Sequence, residues 1–148
     1  MATNNPFNKN IVYTGPPPPN ASYPKTTILD PFAESVIEYA LDYGDFTSLE
    51  NIYIVANQTT IGGALTIYLP VLPAIITEPR KVTIINMGLD IVQIENATGA
   101  AINWDTSYII NLDPYAAPPV SNTVSSVTLI PDTQVTPSWY TLYNYYNI

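Results

Sequence analysis

Val82-Thr83-Ile84-Ile85-Asn86, then Met87-Gly88-Leu89-Asp90, then Ile91-Val92-Gln93-Ile94-Glu95 is the stretch whose reading decides the fold. Its two flanking runs are rich in β-branched residues and alternate with the period of two that a strand requires. Joined by a short Gly-containing loop, they predict a β-hairpin. Upstream, Ile52-Tyr53-Ile54-Val55 reads as a strand, and so does the segment with Leu65, Ile67 and Leu69 on one face and Thr66 and Tyr68 on the other. Downstream runs at Tyr108 to Leu112, Ser125 to Ile130 and Ser138 to Asn144 are separated by turns such as Asp113-Pro114 and Ala117-Pro118-Pro119. About seven short strands at this spacing predict an all-β fold, an antiparallel β-sandwich or jelly-roll-like domain. Alternation sends Leu65, Ile67, Leu69, Val82, Ile84, Val92, Ile94, Val127, Leu129 and Trp139 to its core. No repeat of fixed period is visible, which argues against a solenoid or propeller.

Towards the N-terminus the pattern weakens. Asp30-Pro31 followed by Phe32, Val36, Ile37, Ala40 and Leu41 fits a short helix with an Asp cap and Pro at its first position, while Val36 to Tyr43 also alternates as a strand. That element stays open. Residues 1–30 carry Pro6, Pro16 to Pro19 and Pro24 with little apolar periodicity, so they cannot build a core. They read either as an extended, polyproline-like anchoring arm or as a plain tail. The expected division is therefore an arm over 1–30 and a β-domain over 31–148.

The chain has 148 residues, enough for one domain that buries roughly 68–70% of its unfolded surface without disulfides or metals. With 0 Cys and 0 His, thiol nucleophiles, Cys/His zinc sites and imidazole acid/base chemistry are all excluded. Lys+Arg 4 against Asp+Glu 12 gives a net charge of −8, which leaves no basic footprint for nucleic acid. The N-terminal Met1-Ala2-Thr3-Asn4-Asn5-Pro6 has neither the basic nor the apolar region of a secretory signal. Between Glu50 and Glu78 no residue is charged, but Asn57, Gln58, Gly62-Gly63, Pro70 and Pro73 interrupt the run, so it reads as strands and not as a membrane helix.

Few residues suggest chemistry. Asp42, Asp45 and Glu50 lie close together around Gly44, but nothing fixes the separation that a pair of catalytic carboxylates needs, and the ordered oxygen ligands of a calcium loop are missing. A solvated acidic turn accounts for them. Gly62-Gly63 and Gly88 precede no helix with a following Lys, so they are turn residues and not a phosphate loop. Sequons begin at Asn20, Asn57 and Asn96; chance in an Asn- and Thr-rich chain explains them. Trp104, Trp139, Tyr140, Tyr143, Tyr145 and Tyr146 supply aromatic surface, which suits a subunit contact or, as the alternative, a platform for sugar rings. No cofactor, metal site or catalytic group is expected.

From residue 60 onward, the ordered series Leu65-Thr66-Ile67-Tyr68-Leu69-Pro70, Lys81 to Gly88, Ile91 to Ile94, Ser126 to Ile130 and Ser138-Trp139-Tyr140 resembles a β-sandwich module of viral virion proteins, found in phage tail-fibre heads, head fibres and capsid decoration proteins. Glu78-Pro79-Arg80 departs from that pattern, where a Gly is usual, and no collagen-like or heptad shaft is present. The resemblance implies a structural protein on the surface of a particle: a capsid decoration, cement or minor capsid surface protein that binds the major capsid protein or another virion protein. It also implies a homotrimer. The alternative is a receptor- or carbohydrate-binding tip of a fibre. In the arm, Asn4, Asn5, Phe7, Asn8, Ile11, Val12 and Tyr13 are the expected contacts with a partner, joined by Trp139, Tyr140, Tyr143, Tyr145 and Tyr146 at the other end of the chain.

Overall fold

The computed structural model describes residues 23–56, 64–97, 101–103, 105–114, 125–132 and 137–142. Strand dominates them. In chain order they form β1 (Lys25–Leu29), the short helix α1 (Pro31–Glu34), β2 (Glu38–Ala40), a 3-10 turn (Tyr43–Asp45), β3 (Glu50–Val55), β4 (Leu65–Leu69), β5 (Lys81–Asn86), β6 (Val92–Asn96), β7 (Ile110–Leu112), β8 (Ser126–Asp132) and β9 (Ser138–Leu142).

The segment whose reading stayed open is both things in succession. Asp30 caps α1 by accepting from the Ala33 N–H at 3.0 Å, and Pro31 takes the first position, where its missing N–H matters least. The helix stops after one turn at Ser35, whose φ of 55° is left-handed, and Glu38–Ala40 then runs as a strand.

Two mixed sheets result, ordered β1-β3-β5-β8-β9 and β2-β4-β6-β7. The expectation of an antiparallel arrangement is corrected: β1, β3 and β5 run parallel, as do β2, β4 and β6, and only β7, β8 and β9 pair antiparallel. Every step from β1 to β6 changes sheet, so the chain winds through three successive turns, each contributing one strand to each sheet. Lys25 lies beside Asn51 but Glu50 beside Lys81, so the turns differ in length. That irregularity hides the winding from any search for a fixed period.

The predicted hairpin is also corrected, since β5 and β6 belong to different sheets. Asn86 supplies the reason. It is fully buried, its Nδ2 lies 2.8, 3.1 and 3.1 Å from the carbonyl oxygens of Asp90, Leu112 and Asp113, and its Oδ1 accepts from the Gly88 N–H. The loop is thereby fastened to the end of β7, and the chain crosses to the other sheet instead of folding back. Asn51 does the corresponding work at the start of β3, donating to the carbonyls of Ser48 and Lys81.

Strict alternation puts every second side chain of β3, β4, β5 and β8 in one core to which both sheets contribute. All ten residues expected in the core are there, joined by Leu29, Phe46, Tyr53, Val55, Leu72, Ile102 and Leu112. Leu29 belongs to β1, so the sheet takes in Lys25–Leu29, which the 1–30 and 31–148 division assigned to the arm. Thr26, Thr27 and Ile28 explain it, being a β-branched run that begins two residues after Pro24. Residues 1–22 lie outside the described residues.

Candidate functional site

The two outward sheet faces differ in chemistry. On the four-stranded sheet, register sets Glu38, Thr66, Gln93 and Asn111 in one row and Ala40, Tyr68 and Glu95 in the next. This is a solvated polar surface. On the five-stranded sheet the corresponding rows are Ile28, Ile54, Ile85 and Ser126, then Thr26, Ile52, Thr83, Thr128 and Leu142. A third row brings Glu50 beside Lys81 and Ile130 beside Tyr140. Ile28 is 66% exposed and Leu142 41%, at the two edges of the face, while the Ile side chains of the inner strands are partly covered by their neighbours.

Thr83 and Thr128 lie 2.9 Å apart through their Oγ1 atoms, so one hydroxyl donates to the other across the centre of the face. At the lower end, desolvation and then the neighbouring Asp132 raise the pKa of the Tyr140 phenol. A shallow recess opens there, between Glu50, Lys81 and Ile130 on one side and Thr77, Glu78 and Pro79 on the other. The loop that forms its outer wall is held by Arg80, which donates to the Phe46 carbonyl at 2.7 Å and stacks over the Tyr43 ring.

Of the residues expected at a partner contact, Trp139 is placed in the core with no exposed surface, donating its indole N–H to the Pro70 carbonyl and packing its ring against Phe46 and Tyr43. It therefore offers nothing to a partner or to a sugar. Tyr140, its neighbour, points the other way onto the apolar face, as alternation requires. Asn4, Asn5, Phe7, Asn8, Ile11, Val12, Tyr13, Tyr143, Tyr145 and Tyr146 lie outside the described residues, and so does Trp104.

The acidic turn is structural where it is described. Asp42 accepts from the Gly44 N–H at 2.8 Å and caps the 3-10 turn, while the Asp45 carbonyl accepts from Lys25 Nζ. Among the described residues no group of three or more acidic side chains gathers where it would hold a metal ion. The side-chain atoms of Asn96 are buried, so that sequon presents no acceptor for a glycan. No described helix is long and apolar enough to cross a membrane.

What sequence reading missed is the face itself, formed by Ile28, Ile52, Ile54 and Ile85. The signal was present: Ile52-Tyr53-Ile54-Val55 and Val82-Thr83-Ile84-Ile85 are nearly continuous apolar runs, which a strand solvated on one side does not need. Comparisons with protein-family models, with curated proteins and with solved structures find no match to this chain.

Proposed function

We propose that this chain is a structural protein of a virus particle, a decoration, cement or minor capsid surface protein that works by docking and not by catalysis. The observation that carries the reading is the contrast between the two outward faces: Ile28, Ile54 and Ile85 line one, Glu38, Gln93 and Glu95 the other. Such a molecule has one side to bury and one side to show to solvent. A β-sandwich seated on a shell by one face, with a Pro-rich N-terminal segment adding reach, fits that division. The net charge of −8 keeps free copies soluble before assembly and suits a surface turned away from packaged nucleic acid.

The ordered series of strand motifs from Leu65 to Tyr140 supports the same reading through its resemblance to virion surface modules. A fibre tip that binds sugars draws less support, because Trp139 is committed to the core. Purified particles of the virus that encodes this chain test the proposal. The protein should be present in many copies and accessible to antibody on intact particles, and deleting residues 1–22 should abolish incorporation while the β-domain still folds. Its absence from particles would overturn the reading.

A further inference from the structure

We propose that the chain carries a self-cleavage site at the Asp113–Pro114 peptide bond, opened by the Asp113 carboxylate with the buried Asn86 amide assisting. The site stands apart from the docking face and does not depend on a virion role.

Two Asp–Pro bonds lie among the described residues, Asp30–Pro31 and Asp113–Pro114. Such a bond joins a carboxylate that closes a five-membered ring on its own carbonyl to a tertiary amide nitrogen that leaves readily once protonated. Local structure separates the two. Asp30 Oδ1 accepts from the Ala33 N–H at 3.0 Å as the cap of α1, which ties that carboxylate to the helix. Asp113 follows β7 and is half-buried, and its carboxylate has no hydrogen bond or ion pair among the described residues. The nucleophile is therefore committed at one bond and free at the other.

The carbonyl under attack is held by Asn86. Its Nδ2 lies 3.1 Å from the oxygens of both Leu112 and Asp113, and 2.8 Å from that of Asp90. An amide has two hydrogens for these three acceptors, so one is shared, and it follows the oxygen that gains negative charge. When the Asp113 carbonyl becomes a tetrahedral oxyanion, a donor already in place stabilises it. Asn86 is fully buried and its Oδ1 is fixed by the Gly88 N–H at 2.9 Å, so the donor does not turn away. The neighbouring Asp90 does not compete, since its carboxylate accepts from the Ile91 N–H at 2.8 Å.

In the reaction a carboxylate oxygen of Asp113 bonds to its own carbonyl carbon. The C–N bond to Pro114 breaks, its electron pair stays on nitrogen, and the nitrogen takes a proton from the solvent. Asp113 is left as a cyclic anhydride, which water opens to two carboxyl groups. The sum is hydrolysis, with nothing oxidised or reduced. Residues 1–113 and 114–148 stay together afterwards, because β8 keeps its ladder with β5 and Trp139 its bond to Pro70.

Mass spectrometry of the full chain, held for days in mild acid at about pH 5, tests this. The folded protein should yield 1–113 and 114–148, with Asp113–Pro114 cleaved about tenfold or more faster than Asp30–Pro31. In concentrated urea the two bonds should cleave at similar rates. Asp113→Glu, which enlarges the ring and leaves Asn86 untouched, should abolish the cut with an unchanged circular dichroism spectrum. Asn86→Ala, in a chain that still folds, should slow it to the rate at Asp30–Pro31. An uncut chain overturns the proposal, and so do equal rates at the two bonds in the folded protein or a cut that survives Asp113→Glu. Undiminished cleavage in folded Asn86→Ala overturns it as well. Where that variant does not fold, the ratio of the two bonds in the folded chain against urea still decides.

Discussion

Trp139 donates its indole N–H to the carbonyl oxygen of Pro70 at 2.9 Å, a bond between residues 69 positions apart that ties β9 of one sheet to the end of β4 in the other. Around it Phe46 and Tyr43 close edge-on or tilted, with ring centroids 6.0 and 6.3 Å from the indole. Replacing Trp139 with Phe keeps most of the ring but leaves the Pro70 carbonyl without that donor, and should lower unfolding stability by about 1–3 kcal/mol. Trp139→Ala, which also opens a cavity, should cost about 3–5 kcal/mol. Urea denaturation of the two variants measures the difference.

Asn86 makes a sharper test, because its amide meets three carbonyl oxygens in a fully buried site. Asn86→Ala loses those bonds and should cost about 1–3 kcal/mol. Asn86→Asp puts a carboxylate against the same carbonyls, and near pH 7 should cost about 3–5 kcal/mol, the range for an uncompensated buried charge. Burial raises the pKa of this new acid above its unfolded value of about 4, so the stability it permits is fully present below that pH and lost as the pH rises. Stability measured across pH 3 to 7 should show Asp recovering towards Ala at the acid end.

Alkaline titration should separate the tyrosines. Tyr39 is raised by desolvation first and then by Glu34, which accepts its hydroxyl at 2.6 Å; Tyr53 is raised by desolvation and then by Asp45; Tyr140 follows the same order with Asp132. Desolvation also raises Tyr43, with the Arg80 charge pulling the other way. In each case the folded pKa exceeds the unfolded value of about 10, so the contribution to stability is whole below that pH and disappears as the pH climbs through the folded value. Tyrosinate absorbance should therefore rise in two stages, the second coinciding with loss of the β circular dichroism signal. One stage centred near 10 with an intact fold would contradict these assignments.

Truncation should locate the true start of the folded unit. Removing residues 1–22 leaves every described strand and should not move the denaturation midpoint. Removing residues 1–30 deletes β1, takes Leu29 out of the core at about 2–5 kcal/mol, and bares the edge of β3. Aggregation or a sharply lowered midpoint is the expected result.

These tests follow the line between what the sequence reveals and what it hides. Alternation placed Leu65, Val82 and Leu129 in the core, because period two depends only on which way a side chain points. It says nothing about which strand lies alongside, so the parallel pairing of β3 with β5 was not legible. Met87-Gly88-Leu89-Asp90 looks like a hairpin turn, and only the long-range bonds from Asn86 to Leu112 and Asp113 send the chain across instead. The apolar face is half-legible: Ile52, Ile54 and Ile85 break the polar side of the alternation, yet recognising a surface requires knowing that these strands, with Ile28, are neighbours. Trp139 and Tyr140 both read from the sequence as contact residues, and a single step along a strand sends them to opposite faces.

The winding has a consequence for biosynthesis. In both sheets the lateral order of strands follows their order in the chain, β1-β3-β5-β8-β9 and β2-β4-β6-β7, so no strand is ever threaded between two laid down earlier. A nascent chain leaving the ribosome can add each strand to the growing edge as it emerges, and the partner it needs has always been made already. Growth ends with a reversal of direction: β7 closes one sheet and β8 and β9 extend the other, all antiparallel, and β9 settles against residues 101–103, which are already made, with the Asn103 N–H donating to the Trp139 carbonyl at 2.7 Å. An assembly order that is simply the order of synthesis leaves no strand waiting for a partner still to be made.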